Sequence, residues 1–95
     1  MRPAECAEVT RIRQQAQLAR ANAESEMGQA SLALARRAAS TDPVEVRNQQ
    51  LENRRAAEVA RRNAADHIGR ARQLDGEASL KAAQLRAAGV ECGRR

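Results

Sequence analysis

Ninety-five residues with 17 Lys and Arg against 12 Asp and Glu, 22 Ala and no Phe, Tyr or Trp describe a small, basic helix former with thin core material. No run of 18 apolar residues is present, which excludes a membrane-spanning helix, and Met1-Arg2-Pro3-Ala4-Glu5-Cys6 lacks the apolar stretch of a secretory signal, so the expected location is cytoplasmic. Seven Leu, five Val and two Ile offer little area to bury at about 25 cal/mol per Å², against an ordering cost of about 1–2 kcal/mol per residue, so pairing with a second chain is attractive.

Residues 1–4 read as a frayed start, with Pro3 suited to a first helical turn. From about residue 5 to 39 the spacing predicts helix, with an inner seam of Val9, Ile12, Ala16, Ala19, Ala23, Glu26, Ala30 and Ala33. Every seventh seam position (Val9, Ala16, Ala23, Ala30) is small, so a neighbouring helix can approach closely. Glu5 and Glu8 near the start and Arg36 and Arg37 near the end match the helix dipole. A second stripe, Leu18, Ala21, Ser25, Gly28, Leu32, Ala35 and Ala39, implies a second neighbour, with Leu18 and Leu32 as its candidate contact residues. Gly28 costs roughly 1 kcal/mol against Ala inside a helix, and marks either a close contact or a tolerated defect.

Residues 40–42 are the expected turn. Asp42 precedes Pro43 and is biased away from helical angles. Its carboxylate then caps a second helix that has Pro43 at the first position and Glu45 at the third. That helix is expected over about 43–88, with the seam Val46, Gln50, Asn53, Ala57, Ala60, Ala64, His67, Ala71, Leu74, Ala78, Lys81, Leu85 and Ala88. Folded back on the first helix, it sets Ala30 near Ala57, Ala23 near Ala64, Ala16 near Ala71 and Val9 near Ala78. Asp75-Gly76 is the one interruption: Gly76 either starts a short third helix that folds back, or lies in a continuous helix, as the unbroken phase from Leu74 to Leu85 favours. Gly89 ends the helix and residues 89–95 form a basic tail. The fold class is thus all-α, a coiled-coil-like antiparallel two-helix hairpin with an Ala-rich seam, as one domain over 1–95.

Cys6 stands opposite about Lys81 in such a hairpin, roughly 16 Å of straight helix from Cys92. A disulfide needs Cα atoms within about 7 Å, so an internal bridge is expected only with a fold-back at Gly76, and cytoplasmic thiols are expected to be reduced. One His and two distant Cys make no metal signature, and no cofactor is implied. Arg54, Glu58, Arg62, Asp66 and Arg70, four apart, read as a solvated ladder of alternating charge. Arg36, Arg37, Arg47, Arg55, Arg61 and Arg72 remain as candidate phosphate contacts. Base stacking has no aromatic to use, so only non-specific nucleic-acid association is in view. No nucleophile–base–acid spacing, glycine-rich phosphate loop or paired carboxylates point to an enzyme, and no small-molecule substrate is expected.

In size and layout, two helices around a central turn, the chain resembles the small secreted Trp-x-Gly helical-hairpin proteins. Ser40-Thr41-Asp42-Pro43 stands where their turn motif would be, so the resemblance implies the architecture and no site residue. The leading functional expectation is a non-catalytic helical hairpin that binds protein and self-associates. Its packing residues are Val9, Ile12, Ala16, Ala23, Ala30, Ala57, Ala64, Ala71, Ala78 and Leu85. The alternatives are a non-specific nucleic-acid-associated basic protein and a small exported hairpin factor.

Overall fold

A computed structural model describes residues 3–92; the first two residues of the expected start, and 93–95 of the expected basic tail, lie outside the described residues. The protein is an all-α helical hairpin, with α1 over Pro3–Ala35 and α2 over Pro43–Ala87 and no strand among the described residues. Both helices open on a proline, whose missing N–H and fixed φ suit a first turn, and Glu5 and Glu45 lie in those first turns beside the positive dipole end. No helix is long and apolar enough to cross a membrane among the described residues.

The contacts divide the hairpin into two compact units, a turn half (22–67) and a terminal half (residues up to Ala21 with those from Ile68). In the turn half α1 ends at Ala35, four residues short of the expected Ala39, so Arg36 and Arg37 follow the helix and its last turn holds no basic side chain. The stop has a tertiary cause. Asn53, buried on α2, donates from Nδ2 to the Arg36 carbonyl at 2.8 Å, and Gln49 Nε2 donates to Asn53 Oδ1 at 2.8 Å. An amide from the partner helix thereby satisfies a carbonyl that a further helical turn would have paired. The connection is then shaped locally: Ser40 Oγ accepts the Asp42 N–H at 3.0 Å, and Asp42 Oδ1 accepts the Val44 N–H at 2.9 Å as a helix cap. The Val46 N–H donates to the Asp42 carbonyl at 2.9 Å, the first α-type bond of α2.

The turn half buries Ala23, Ala30, Ala33, Ala57, Ala60 and Ala64 with Asn53, and Ala30 packs with Ala57 and Ala60. Gln50 is exposed and Gln49 is half-buried in its place, because Gln49 is the residue that turns inward to hold Asn53. A Cβ on Gly28 would meet nothing within 4 Å, so this glycine is tolerated on an open face rather than required by a close contact.

The terminal half buries Val9, Ala16, Ala19, Ala71, Leu74, Ala78, Ala82 and Leu85. Val9 packs with Ala78, Ala82 and Leu85, and Ile12, Val90, Cys6 and Cys92 close over them. Ala82 was outside the expected seam, and Ala88, expected within it, is exposed. Helix α2 runs unbroken through Gly76, so no third helix starts there among the described residues; a Cβ there would meet open space. It ends at Ala87, one residue before the expected Ala88, in a left-handed glycine cap: Gly89 has φ 87°, its N–H donates to the Arg86 carbonyl at 2.9 Å, and the Val90 N–H donates to the Leu85 carbonyl at 2.8 Å. This pair of bonds, with Val90 packed near Leu85, reverses the chain.

Candidate interaction surface

Where the large apolar side chains lie is the main functional observation. In the terminal half Val9, Leu74 and Leu85 are buried, Ile12 and Val90 half-buried, and Leu18, Ile68 and Leu80 exposed. In the turn half no large aliphatic is buried among the described residues; Met27, Leu32, Leu34, Val44, Leu51 and Val59 are all exposed. Alanine, with Asn53, fills the buried face of that half; these six apolar side chains are 41–68% exposed, and Val46 is half-buried. Of the two expected partner-surface residues, Leu32 is 68% exposed in the turn half and Leu18 62% exposed in the terminal half. An open, largely apolar groove lies beside the turn-half seam, floored by Ala56, Val59 and Ala60 of α2 and edged by Gln29, Arg55 and an Asn63–Glu26 side-chain hydrogen bond of 3.4 Å.

All ten expected packing residues lie inward: Val9, Ala16, Ala23, Ala30, Ala57, Ala64, Ala71, Ala78 and Leu85 are buried and Ile12 is half-buried. Their burial follows from helical period, since only a narrow stripe of each helix faces its neighbour.

The arginines behave differently from the expected ladder. Arg54, Glu58, Arg62, Asp66 and Arg70 are exposed and none is in an ion pair among the described residues. Ion pairs instead join the two helices within the terminal half, between Arg20 and Asp75 and between Lys81 Nζ and Glu8 Oε1 at 2.7 Å. The Lys81 ammonium, donating to Glu8 and attracting its charge, holds that carboxyl below its ordinary value.

The six candidate phosphate contacts are all exposed, but they do not converge. Arg36 and Arg37 line one shallow depression at the turn and Arg47 another; Arg55 edges the apolar groove, Arg61 lies on α2 in the same half, and Arg72 belongs to the terminal half. The turn half carries seven Arg and seven Asp or Glu, so the whole net charge of +5 belongs to the sequence of the terminal half. Among the described residues, no three His, Cys, Asp or Glu side chains are grouped as a metal ion would need.

Two features escaped the sequence reading. Periodicity places Asn53 on the seam but does not identify it as the group that stops α1; an amide beside the Ala positions of the seam is the available signal. Cys6 and Cys92 form a disulfide with Cα atoms 5.2 Å apart, without any break at Gly76. The straight-helix estimate missed it because the chain turns back after Gly89, and Gly-Val directly after a helical stretch was the signal. Compared with protein-family models, curated proteins and solved structures, the chain matches none.

Proposed function

We propose that this chain is a non-catalytic helical hairpin that acts by contact with protein, and that a second copy of itself is one partner. The observation that carries the reading is the inverted packing of the turn half, where alanine is inside and Met27, Leu32, Leu34, Val44, Leu51 and Val59 are outside. Single exposed leucines are ordinary. Six large apolar side chains exposed over a half that fully buries none is a different situation, because that half leaves a large share of their hydrophobic stabilisation unused. Association covers that area and compensates for the thin internal seam.

A phosphate-binding role has weaker support. Five of its six candidate arginines belong to the turn half, whose charges balance, so neither convergence nor net field favours a polyanion there.

Sedimentation velocity over a hundredfold concentration range tests the proposal. The native chain is expected to move to a dimer or larger species as concentration rises. Leu32→Glu is expected to shift the midpoint upward at least tenfold, and Leu18→Glu, on the better-packed half, by less. A helical monomer throughout the range overturns self-association.

A further inference from the structure

The terminal half is closed covalently. Gly89 reverses the chain at the end of α2, and the three residues that follow bring Cys92 to Cys6, near the start of α1. The 5.2 Å between their Cα atoms lies within the span a disulfide requires. The bond is 86 residues apart in sequence, and no free cysteine remains. A cross-link across so long a separation removes more freedom from the unfolded chain than a short one does. It also sits where a hairpin is otherwise weakest, since paired helix ends open locally before the interior does. Beneath it lie Val9, Ala78, Ala82 and Leu85, with Ile12 and Val90 alongside, a cluster that holds two of the three buried large aliphatic side chains among the described residues.

A structural bond of this kind forms and persists mainly in oxidising compartments and is rare where glutathione and thioredoxin keep thiols reduced. We infer that the chain matures in an oxidising compartment, where a disulfide-bearing oxidant installs the Cys6–Cys92 bond, and that this bond holds the terminal half together. This departs from the cytoplasmic expectation and is independent of self-association. In the first step the thiolate of one cysteine attacks the oxidant's disulfide, forming a mixed disulfide and releasing one oxidant sulfur as a thiolate. The thiolate of the other cysteine then attacks the protein sulfur of the mixed disulfide and displaces the second oxidant sulfur. The two cysteine sulfurs lose two electrons and their two protons; the oxidant gains both and leaves as a dithiol.

Two measurements test it. Cells that make the protein naturally are quenched in acid, denatured and alkylated without reductant, and the intact mass of the chain is read. No alkyl adducts are expected; two adducts per chain show that the thiols are reduced in place and overturn the inference. In the second, hydrogen exchange of the purified oxidised protein is compared with and without dithiothreitol. Reduction is expected to speed exchange at least about tenfold in segments 5–20 and 70–90 and much less in 24–66. The Cys6→Ser, Cys92→Ser double variant is expected to match the reduced protein, and its failure to fold is the same result in stronger form. Equal exchange before and after reduction, with the variant unchanged, removes the holding role.

Discussion

The two halves of this hairpin are built from the same helices and the same spacing, yet they are stabilised in different ways. The terminal half places Val9, Leu74 and Leu85 on its inner face, links its helices through Arg20–Asp75 and Glu8–Lys81, and is joined by Cys6–Cys92. The turn half has alanine at the corresponding positions and one buried amide, Asn53, and it exposes its larger apolar side chains except the half-buried Val46. Periodicity alone therefore says which face turns inward, and side-chain volume says whether that face is enough. The terminal half fills part of its seam with large side chains, although Leu18, Ile68 and Leu80 stay exposed. The turn half is packed through alanine, and that is the ground on which we propose it as the contact surface.

The contrast can be broken from inside the seam. Ala64 is buried in the turn half, where small side chains set the approach of the helices. Ala64→Leu is expected to overpack it and to cost about 1–3 kcal/mol. Thermal melting followed by circular dichroism checks this, and an unchanged midpoint would mean that the seam has room to spare. Next in size is Asn53→Ala, which leaves the Arg36 carbonyl without its donor. A loss of about 1–2 kcal/mol is expected, with the end of α1 gaining exchange at Ala33–Arg36 before any other segment.

The smallest effect sharpens the other side of the comparison. Glu8 has its carboxyl lowered by Lys81, so the pair stabilises the folded terminal half above the ordinary carboxylate range, and that contribution disappears as the pH falls through the lowered value. A solvent-facing pair is screened, so the expected shift in melting midpoint is slight and shrinks further in high salt. Lys81→Met is expected to flatten that part of the pH profile; a native-like acid slope in the variant would assign it to other groups.

Much of this fold was legible because helices declare themselves by period. The ten inward positions follow from three- and four-residue steps, and the continuity of α2 through Gly76 from unbroken phase across it. The end of α1 was less legible because Ala38 and Ala39 are good helix formers, and the group that halts the helix comes from Asn53, 17 residues away in sequence. The disulfide was hidden by a one-dimensional estimate of reach, which a single left-handed glycine overturned. The difference between the halves stood in the sequence as volume: Leu74 and Leu85 lie on one stretch of seam, whereas the stretch before it, after Val46 and Gln50, holds only Ala, Asn and His. Spacing counts those positions alike, although a leucine and an alanine bury very different areas.

The most direct test of the central claim, that the turn half is the contact surface, is hydrogen exchange of the oxidised protein measured at two concentrations on either side of its association midpoint. Exchange in segments 24–36 and 44–62 is expected to slow at the higher concentration, while 5–20 and 70–90 keep their rates. Exchange that is independent of concentration in both halves, or slowing confined to the terminal half, would contradict it.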